Sequence, residues 1–284
     1  MSTRPTPPAA PLELRDDRSA PVGFPGTTTA DEALLVALRA GEPVGAALLR
    51  WRGPVAAIRE LWVAPEVRGQ GIGAALLDRL RDRVRDEGAT TATLAVPADE
   101  TAALALARGH RLLGEYMTRP LSDETALPER FGWRSMSPEE FGPWLEAHVQ
   151  SYAESNLARS GGDHGLALER SREDFDRFLP DGLETADAAV IVLSWDGQRV
   201  GDLWLQHRLP GDETFVFDLE ILPERRREGH GRWAMVLTEQ LARQAGDRQV
   251  GLHVFGDNAA ARRLYASQGF DTRIATFDVL APPA

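Results

Sequence analysis

The chain has 284 residues, 43% of them hydrophobic, and a formal net charge of −11 from 32 basic and 43 acidic side chains. That length allows two ordinary domains, each with its own core, and the acidic balance argues against a general nucleic-acid binder. The absence of cysteine excludes disulfides, thiolate metal sites and a cysteine nucleophile, and because every basic residue is arginine there is no lysine for a Walker A loop or a Schiff base.

The first residues, "MSTRPTPPAAP", read as a Pro-rich disordered tail (1–11) without an apolar signal region. "LELR" reads as a strand. "EALLVALRAGEPVGAALLRWRG" reads as a hairpin with turn chemistry at Gly41 and Pro43. "VAAIRELWVAP" is a further apolar run that stops at Pro65. The Gly-rich "PEVRGQGIG" follows, and then a helix whose Leu76, Leu77, Leu80 and Val84 recur at helical spacing before Gly88. "TTATLAVP" is strand-like, "DETAALALARGH" helix-like, and "RLLGEYMTRPL" a closing strand.

Residues 122–131 are polar and turn-rich and read as a linker. "FGWRSM" is strand-like. The following segment opens with Ser137, Pro138 and Glu140, a helix cap and capping box. A second amphipathic helix ends at Pro180, and "DG" marks a hairpin turn in "AAVIVLSWDGQRVGDLWLQHRL". "ETFVFDLEILP" leads into a second Gly-rich stretch, "PERRREGHG", followed by helix, strand, helix and strand.

The two Gly-rich stretches align without a gap at an offset of 158 residues (223 − 65), with Arg68 over Arg226, Gly71 over Gly229 and Gly73 over Gly231. Both halves run hairpin, strand, Gly-turn, helix, strand, helix, strand, which marks an internal duplication. The first copy lacks the two early helices of the second. The predicted fold class is α+β, as two tandem modules (12–121 and 132–284), each a mixed, mostly antiparallel twisted sheet flanked by helices.

A strand that stops at a glycine turn and opens a helix presents free N–H groups and the positive end of the helix dipole, which suits a phosphate. A lone Gly-x-Gly is also compatible with nothing more than a tight turn. A Rossmann reading fits poorly, since its third glycine falls on Leu76 and Ala234.

"VAPEVRGQGIGAAL" resembles the acetyl-coenzyme-A motif of the GNAT N-acetyltransferase superfamily, and the second copy matches it at Arg226, Gly229 and Gly231. "DNAAARRLYASQGF" resembles the family's later Asn and Tyr, here Asn258 and Tyr265. The tandem arrangement is similar to that of the mycothiol synthases and other actinobacterial tandem acetyltransferases, and the exclusive use of Arg fits a GC-rich bacterial genome. The resemblance is strong over 132–280 and weaker over 12–121.

It implies that acetyl-CoA or another acyl-CoA sits on the turns, contacted by Ile221, Arg226, Arg227, Gly229, Gly231, Arg232 and Asn258, and in the first copy by Val63, Arg68, Gly69, Gly71 and Gly73. It also implies that Tyr265 protonates the leaving thiolate, although a half-buried core aromatic is the plain alternative for that residue. In the first copy Ala107 or Ala105 falls where Tyr265 sits, and Glu100 replaces Asn258. The second module is thus expected to be catalytic and the first degenerate, either coenzyme-binding or structural.

An alkyl amine with a pKa near ~10.4 is neutral in about one molecule in 10³ at pH 7, a handicap of about 4–5 kcal/mol. Asp218 and Glu220, two apart on a strand and so on one face, are the expected carboxylates for handling it. Glu60 is the first-copy counterpart of Asp218, and His253 and His207 are weaker candidates. Residues 126–284 carry 26 acids against 17 Arg, which favours a cationic acceptor.

The expected activity is acyl transfer from acyl-CoA to a primary amine of a small molecule or peptide by direct attack, in a cytoplasmic monomer or homodimer with no metal, membrane or nucleic-acid partner. A non-catalytic acyl-CoA sensor or scaffold is the alternative. Aminoacyl-tRNA-dependent peptide-bond formation is a third reading, disfavoured by the charge.

Overall fold

The computed structural model describes residues 11–17, 32–52, 55–99, 109–122, 125–160 and 163–280. Among them no helix is long and apolar enough to cross a membrane. Two compact units form: residues up to Leu112 together with Thr276 onward, and Leu113–Ala275.

In the first unit, β1 (Leu12–Asp17), β2 (Glu32–Arg39), β3 (Glu42–Arg52) and β4 (Val55–Val63) pair antiparallel in sequence order. β5 (Thr91–Pro97) then joins β4 in parallel. The β2–β3 turn is made by Ala40 and Gly41, both at positive φ (53° and 86°), as a two-residue hairpin requires. Pro43 lies inside β3 opposite Leu38, beside a register shift. α1 (Ile72–Asp86) returns from β4 to β5 and buries Leu76, Leu77, Leu80 and Val84 as their spacing predicts. The helix expected over "DETAALALARGH", with Glu100, Ala105 and Ala107, falls almost wholly outside the described residues.

In the second unit the strand order is β6 (Arg111–Pro120), β11 (Gln249–Phe255), β10 (Glu213–Ile221), β9 (Gln198–Leu209), β8 (Ala188–Trp195), β7 (Phe131–Ser135). Only β10 and β11 are parallel. α4 (His230–Ala245) and α5 (Ala259–Ser267) follow β10 and β11, while α2 (Pro138–Ser160) and α3 (His164–Phe178) precede the sheet's central strands in sequence. Strand alternation separates two cores. Ile191 and Leu193 of β8 pack with Met235 and Leu237 of α4, whereas Val190 and Val192 pack with Trp144 of α2 and Phe175 of α3. The capping box is formed, since Glu140 Oε2 accepts from the Ser137 N–H at 3.0 Å.

The compact units do not follow the repeat boundary drawn from the sequence. β6 closes the first repeat in sequence, yet from Leu113 onward it belongs to the second unit, where Gly114–Pro120 pair with β11. The last strand, β12 (Asp271–Asp278), sends its final three residues to the first unit, where Asp278 accepts from the Ala92 N–H and from Arg111. Local pattern marks both segments as strands, but a strand's partner is a long-range choice that its own residues do not encode.

Two features of the second sheet position the residues ahead of the Gly-turn. Phe217 is an extra residue in the β9–β10 ladder, between the pairs Val216–Leu205 and Asp218–Trp204. Its counterpart Arg59 is extra at the same place in β4, between Ile58 and Glu60. The parallel ladders end there too. β10 pairs with β11 only over Glu213–Val216, and β4 with β5 only over Val55–Ile58, while each strand continues with its other neighbour. A wedge therefore opens in each sheet toward the Gly-turn. In the second unit Gly201 lets β9 approach β10 closely, because a Cβ there would stand 2.1 Å from the Glu220 carbonyl oxygen. Gly201→Ala should therefore destabilise the unit by about 1–3 kcal/mol. Urea unfolding of the variant checks this, and an unchanged midpoint would mean that β10 yields freely.

Candidate active site

The two Gly-turns have the same backbone. In each, a strand ends, three residues form a 3-10 turn (Pro65–Val67 and Pro223–Arg225), and an extended Arg follows (Arg68 φ −61°, Arg226 φ −70°). Two left-handed residues come next, Gly69 and Gly71 (φ 77° and 80°) in one copy, Arg227 and Gly229 (φ 66° and 88°) in the other. Arg68 Nε donates to the Val63 carbonyl at 3.1 Å and Arg226 Nε to the Ile221 carbonyl at 2.9 Å. These two arginines thus staple the turn to the strand it leaves, and the Val63 and Ile221 carbonyls serve the staple. Arg227 occupies a conformation that strains any residue with a Cβ.

Gly71 and Gly229 cap α1 and α4, and no side chain caps either helix. Their first-turn N–H groups are available to an anion. No atom lies within 4 Å of where a Cβ would stand on either glycine, which leaves room for a phosphate close to the backbone. Gly231 serves packing, because a Cβ there would meet Leu264 of α5 at 3.2 Å. Arg232 lies over the Trp233 ring. His230, the first residue of α4, is buried against Trp195, with Nε2 3.0 Å from Glu228 and Nδ1 without a partner. Asn258 caps α5, accepting from the Ala261 N–H at 3.0 Å.

Tyr265 of α5 is 8% exposed. Burial, and then the Asp218 carboxylate, push its phenol up to about 12, so it keeps its proton at neutral pH and can give it to a stronger base.

Asp218 and Glu220 lie on one face of β10, as their spacing predicts, and both act on His148 of α2. His148 Nε2 stands 3.1 Å from Asp218 Oδ2, and Nδ1 stands 2.9 Å from the Trp144 carbonyl. Burial alone would push His148 down. Asp218, the Trp144 carbonyl and Glu220 outweigh it and lift the ring above the ordinary imidazole value.

A cavity of about 480 Å³ lies beside this cluster, lined by Glu139, Glu140, Trp144, His148, Asp202 and Glu220. Arg199 also lines it and pairs with Asp202 at 2.7 Å. Arg134 and the Ser137 N–H hold Glu140 down at about 2. Carboxylates outnumber cations along the wall, which favours a cationic guest.

His253 and His207, named from the sequence, do not line the cavity. His253 lies on β11 against Gly114. His207 Nδ1 donates to Thr214 Oγ1 at 2.8 Å, which in turn donates to Asp247, and burial lowers its pKa. His148 was missed, although a signal existed. Phe141, Trp144, Leu145 and His148 form a helical i, i+3/i+4 stripe, and a histidine on the buried stripe of an amphipathic helix needs a polar partner inside. In the first unit Glu60 occupies the position of Asp218, with a buried Oε2 that has no partner.

The acetyltransferase (GNAT) family profile matches residues 4–111 and again residues 149–270. The chain belongs to that family. It is a tandem member, with one match in each repeat, and an N-acetyltransferase by class. A mycothiol acetyltransferase of Rhodococcus jostii (strain RHA1) is 32% identical over 251 residues, which cover 84% of this chain and 79% of the relative. The uncharacterized N-acetyltransferase YycN of Bacillus subtilis (strain 168) is 33% identical over 138 residues, covering 48% of this chain and 88% of the relative. A GCN5-related N-acetyltransferase from Sphaerobacter thermophilus shares the fold at a TM-score of 0.54, with 18% identity over 90% of this chain and 83% of that one. GNAT enzymes use acetyl-CoA, the class of anionic ligand that the two turns suit.

The His148–Asp218 contact couples the fold to pH. Because the folded value of His148 lies above the unfolded one, its stabilisation is complete below about pH 6.5 and is lost as pH rises through the raised folded value. Urea midpoints measured at pH 6 and pH 9 should fall between those values in the native chain. That component of the fall should vanish in Asp218→Asn. An equal fall in both proteins would show that the pair contributes nothing.

Proposed function

We propose that the second unit transfers a short acyl group from acyl-CoA to a primary amine, by direct attack of the amine on the thioester. The observation that carries this reading is the placement of Asp218 and Glu220 on the β10 segment that leaves the parallel ladder, with the buried, protonated Tyr265 close enough to feel Asp218. The coenzyme phosphates would take the N–H groups after Gly229, with Arg226 holding the turn in shape. The amine would enter by the acid-lined cavity. One of the two β10 carboxylates takes its excess proton, nitrogen bonds to the thioester carbon, the carbon–sulfur bond breaks, and Tyr265 protonates the sulfur. The cavity supports a small-molecule or peptide amine that carries positive charge.

The first unit is read as a binding module without turnover. It has the same stapled turn and the same open glycine at Gly71, and a phosphate depends on those backbone features alone. The similarity to mycothiol acetyltransferases supports acetylation of an amine.

An amine panel read by thiol release tests the activity, with mass spectrometry of the purified chain for bound coenzyme. Tyr265→Phe removes only the hydroxyl, so kcat should fall by about 10²–10⁴ with coenzyme affinity little changed. A fall below about threefold would make Tyr265 a packing residue.

The modules separate by a second pair of variants. Gly229→Val should remove turnover and calorimetric coenzyme binding at the second unit, because a β-branched residue is strained at positive φ and obstructs the backbone. Gly71→Val should leave kcat nearly intact. The reverse pattern would move the working site to the first unit.

A further inference from the structure

We propose that His148 is a positioning residue of the amine site. Held as an imidazolium between the Trp144 carbonyl and the Asp218 carboxylate, it ties Asp218 down as its partner and leaves Glu220 as the carboxylate that takes the amine's proton. The role of Glu220 rests on the acyl-transfer reading above; the charge state of His148 does not.

The hydrogen-bond partners favour this charge state. A carbonyl oxygen only accepts, so the 2.9 Å contact with Trp144 places a proton on Nδ1. An ionised Asp218 also only accepts, so with it the 3.1 Å contact puts a second proton on Nε2. A neutral ring would have to turn a lone pair toward one of these two oxygens or meet Asp218 in its protonated form. The surroundings agree. The charged groups around the ring are Asp218 and Glu220 from β10, Asp202 with its Arg199 from β9, and Glu139 and Glu140 from α2 itself, the last tied to Arg134. The Trp144 ring covers the imidazole at a 4.3 Å centroid distance, and Phe175 of α3 packs beyond it without adding charge.

The two β10 carboxylates therefore have different work. Asp218 is engaged by His148 on one side and disfavours ionisation of Tyr265 on the other. A base that also had to release His148 and unsettle the acid would be poorly placed. Glu220 lines the cavity, is about half exposed, and has its nearest cation, Arg226, at 3.7 Å, beyond hydrogen-bond length. Its oxygens are open to an ammonium, whereas Asp218 already gives Oδ2 to His148. The balance closes with Glu220 as acceptor. The ammonium loses one proton to Glu220 and on to water, the neutral nitrogen bonds to the acyl carbon, and the carbon–sulfur bond breaks. The second nitrogen proton, released as the amide forms, makes good the one that Tyr265 gives to sulfur.

Side-chain ¹H–¹⁵N NMR of the whole chain tests the charge state without any assumption about activity, with the His148 signals assigned by their loss in His148→Gln. At pH 7 both ring nitrogens should show protonated shifts, and in Asp218→Asn the titration midpoint should drop by about one unit or more. A neutral ring at pH 7, or a midpoint that Asp218→Asn leaves in place, overturns the proposal. The kinetic arm divides the carboxylates. Glu220→Gln should lower kcat/KM by about 10²-fold or more, whereas His148→Gln should cost about 5–30-fold and displace the alkaline limb of the pH profile. Glu220→Gln within threefold of native activity, or an alkaline limb unmoved by His148→Gln, also overturns it. If no amine turns over, the acyl-transfer reading fails by itself and the NMR result still decides the state of His148.

Discussion

A single extra residue in a β-ladder governs the arrangement. Phe217 has no opposite number on β9, so β10 leaves its pairing with β11 after Val216 and stays bonded to β9 alone. The bulge also turns two consecutive residues, Phe217 and Asp218, toward α2 and α3, where Phe217 stacks on Trp204 at 4.5 Å and Asp218 reaches His148. Without it the strict two-residue period would send one of them to the opposite face. The wedge, the placement of both carboxylates and the direction of the strand into the glycine turn all follow from this residue. Gly201, which lets β9 close on the released segment, is the complementary concession on the neighbouring strand.

The duplication has kept backbone features and changed side chains. Arg59 makes the bulge in the first copy as Phe217 does in the second, and Arg68 staples its turn as Arg226 does. Gly69, by contrast, sits at ease in a left-handed conformation that Arg227 adopts under strain. Ile72 fills the place of the half-satisfied His230, and Glu60 fills that of Asp218. A site that binds phosphate through N–H groups tolerates such changes. A site that moves protons does not, because its groups act through distances and through one another's charge. The first copy contains no helix comparable to α2 among the described residues, and so lacks the element that carries His148 in the second.

Within the second unit the charges form a chain of dependence. Asp218 and the Trp144 carbonyl raise His148 against the effect of its burial, and burial followed by the Asp218 carboxylate raises the Tyr265 phenol. Arg199 and Arg134 neutralise Asp202 and Glu140 at the cavity wall, which leaves Glu139 and Glu220 to meet a positively charged guest. Burial raises the weight of the His148 and Tyr265 interactions, since fewer waters compete there.

The local elements were legible from sequence because they rest on short-range physics. Hairpin dipeptides, the helical spacing of Leu76, Leu80 and Val84, the capping box at Ser137 and Glu140, and the strand–glycine–helix turn each depend on residues a few positions apart. The repeat itself, and with it the family, is visible as a 158-residue offset. The shared face of Asp218 and Glu220 was readable from strand period. Tertiary structure alone decided the rest. It assigned β6 and the end of β12 to units other than those their sequence order suggests, because a strand edge accepts whichever partner the folded chain brings to it. It gave Gly231 a packing reason and made Arg226 a staple. It also brought His148 to Asp218 across 70 residues of chain. The helical stripe marks His148 as a group in need of a polar partner, but which partner it meets depends on how α2 lies across the sheet, and a proton's location follows from the distances that packing creates.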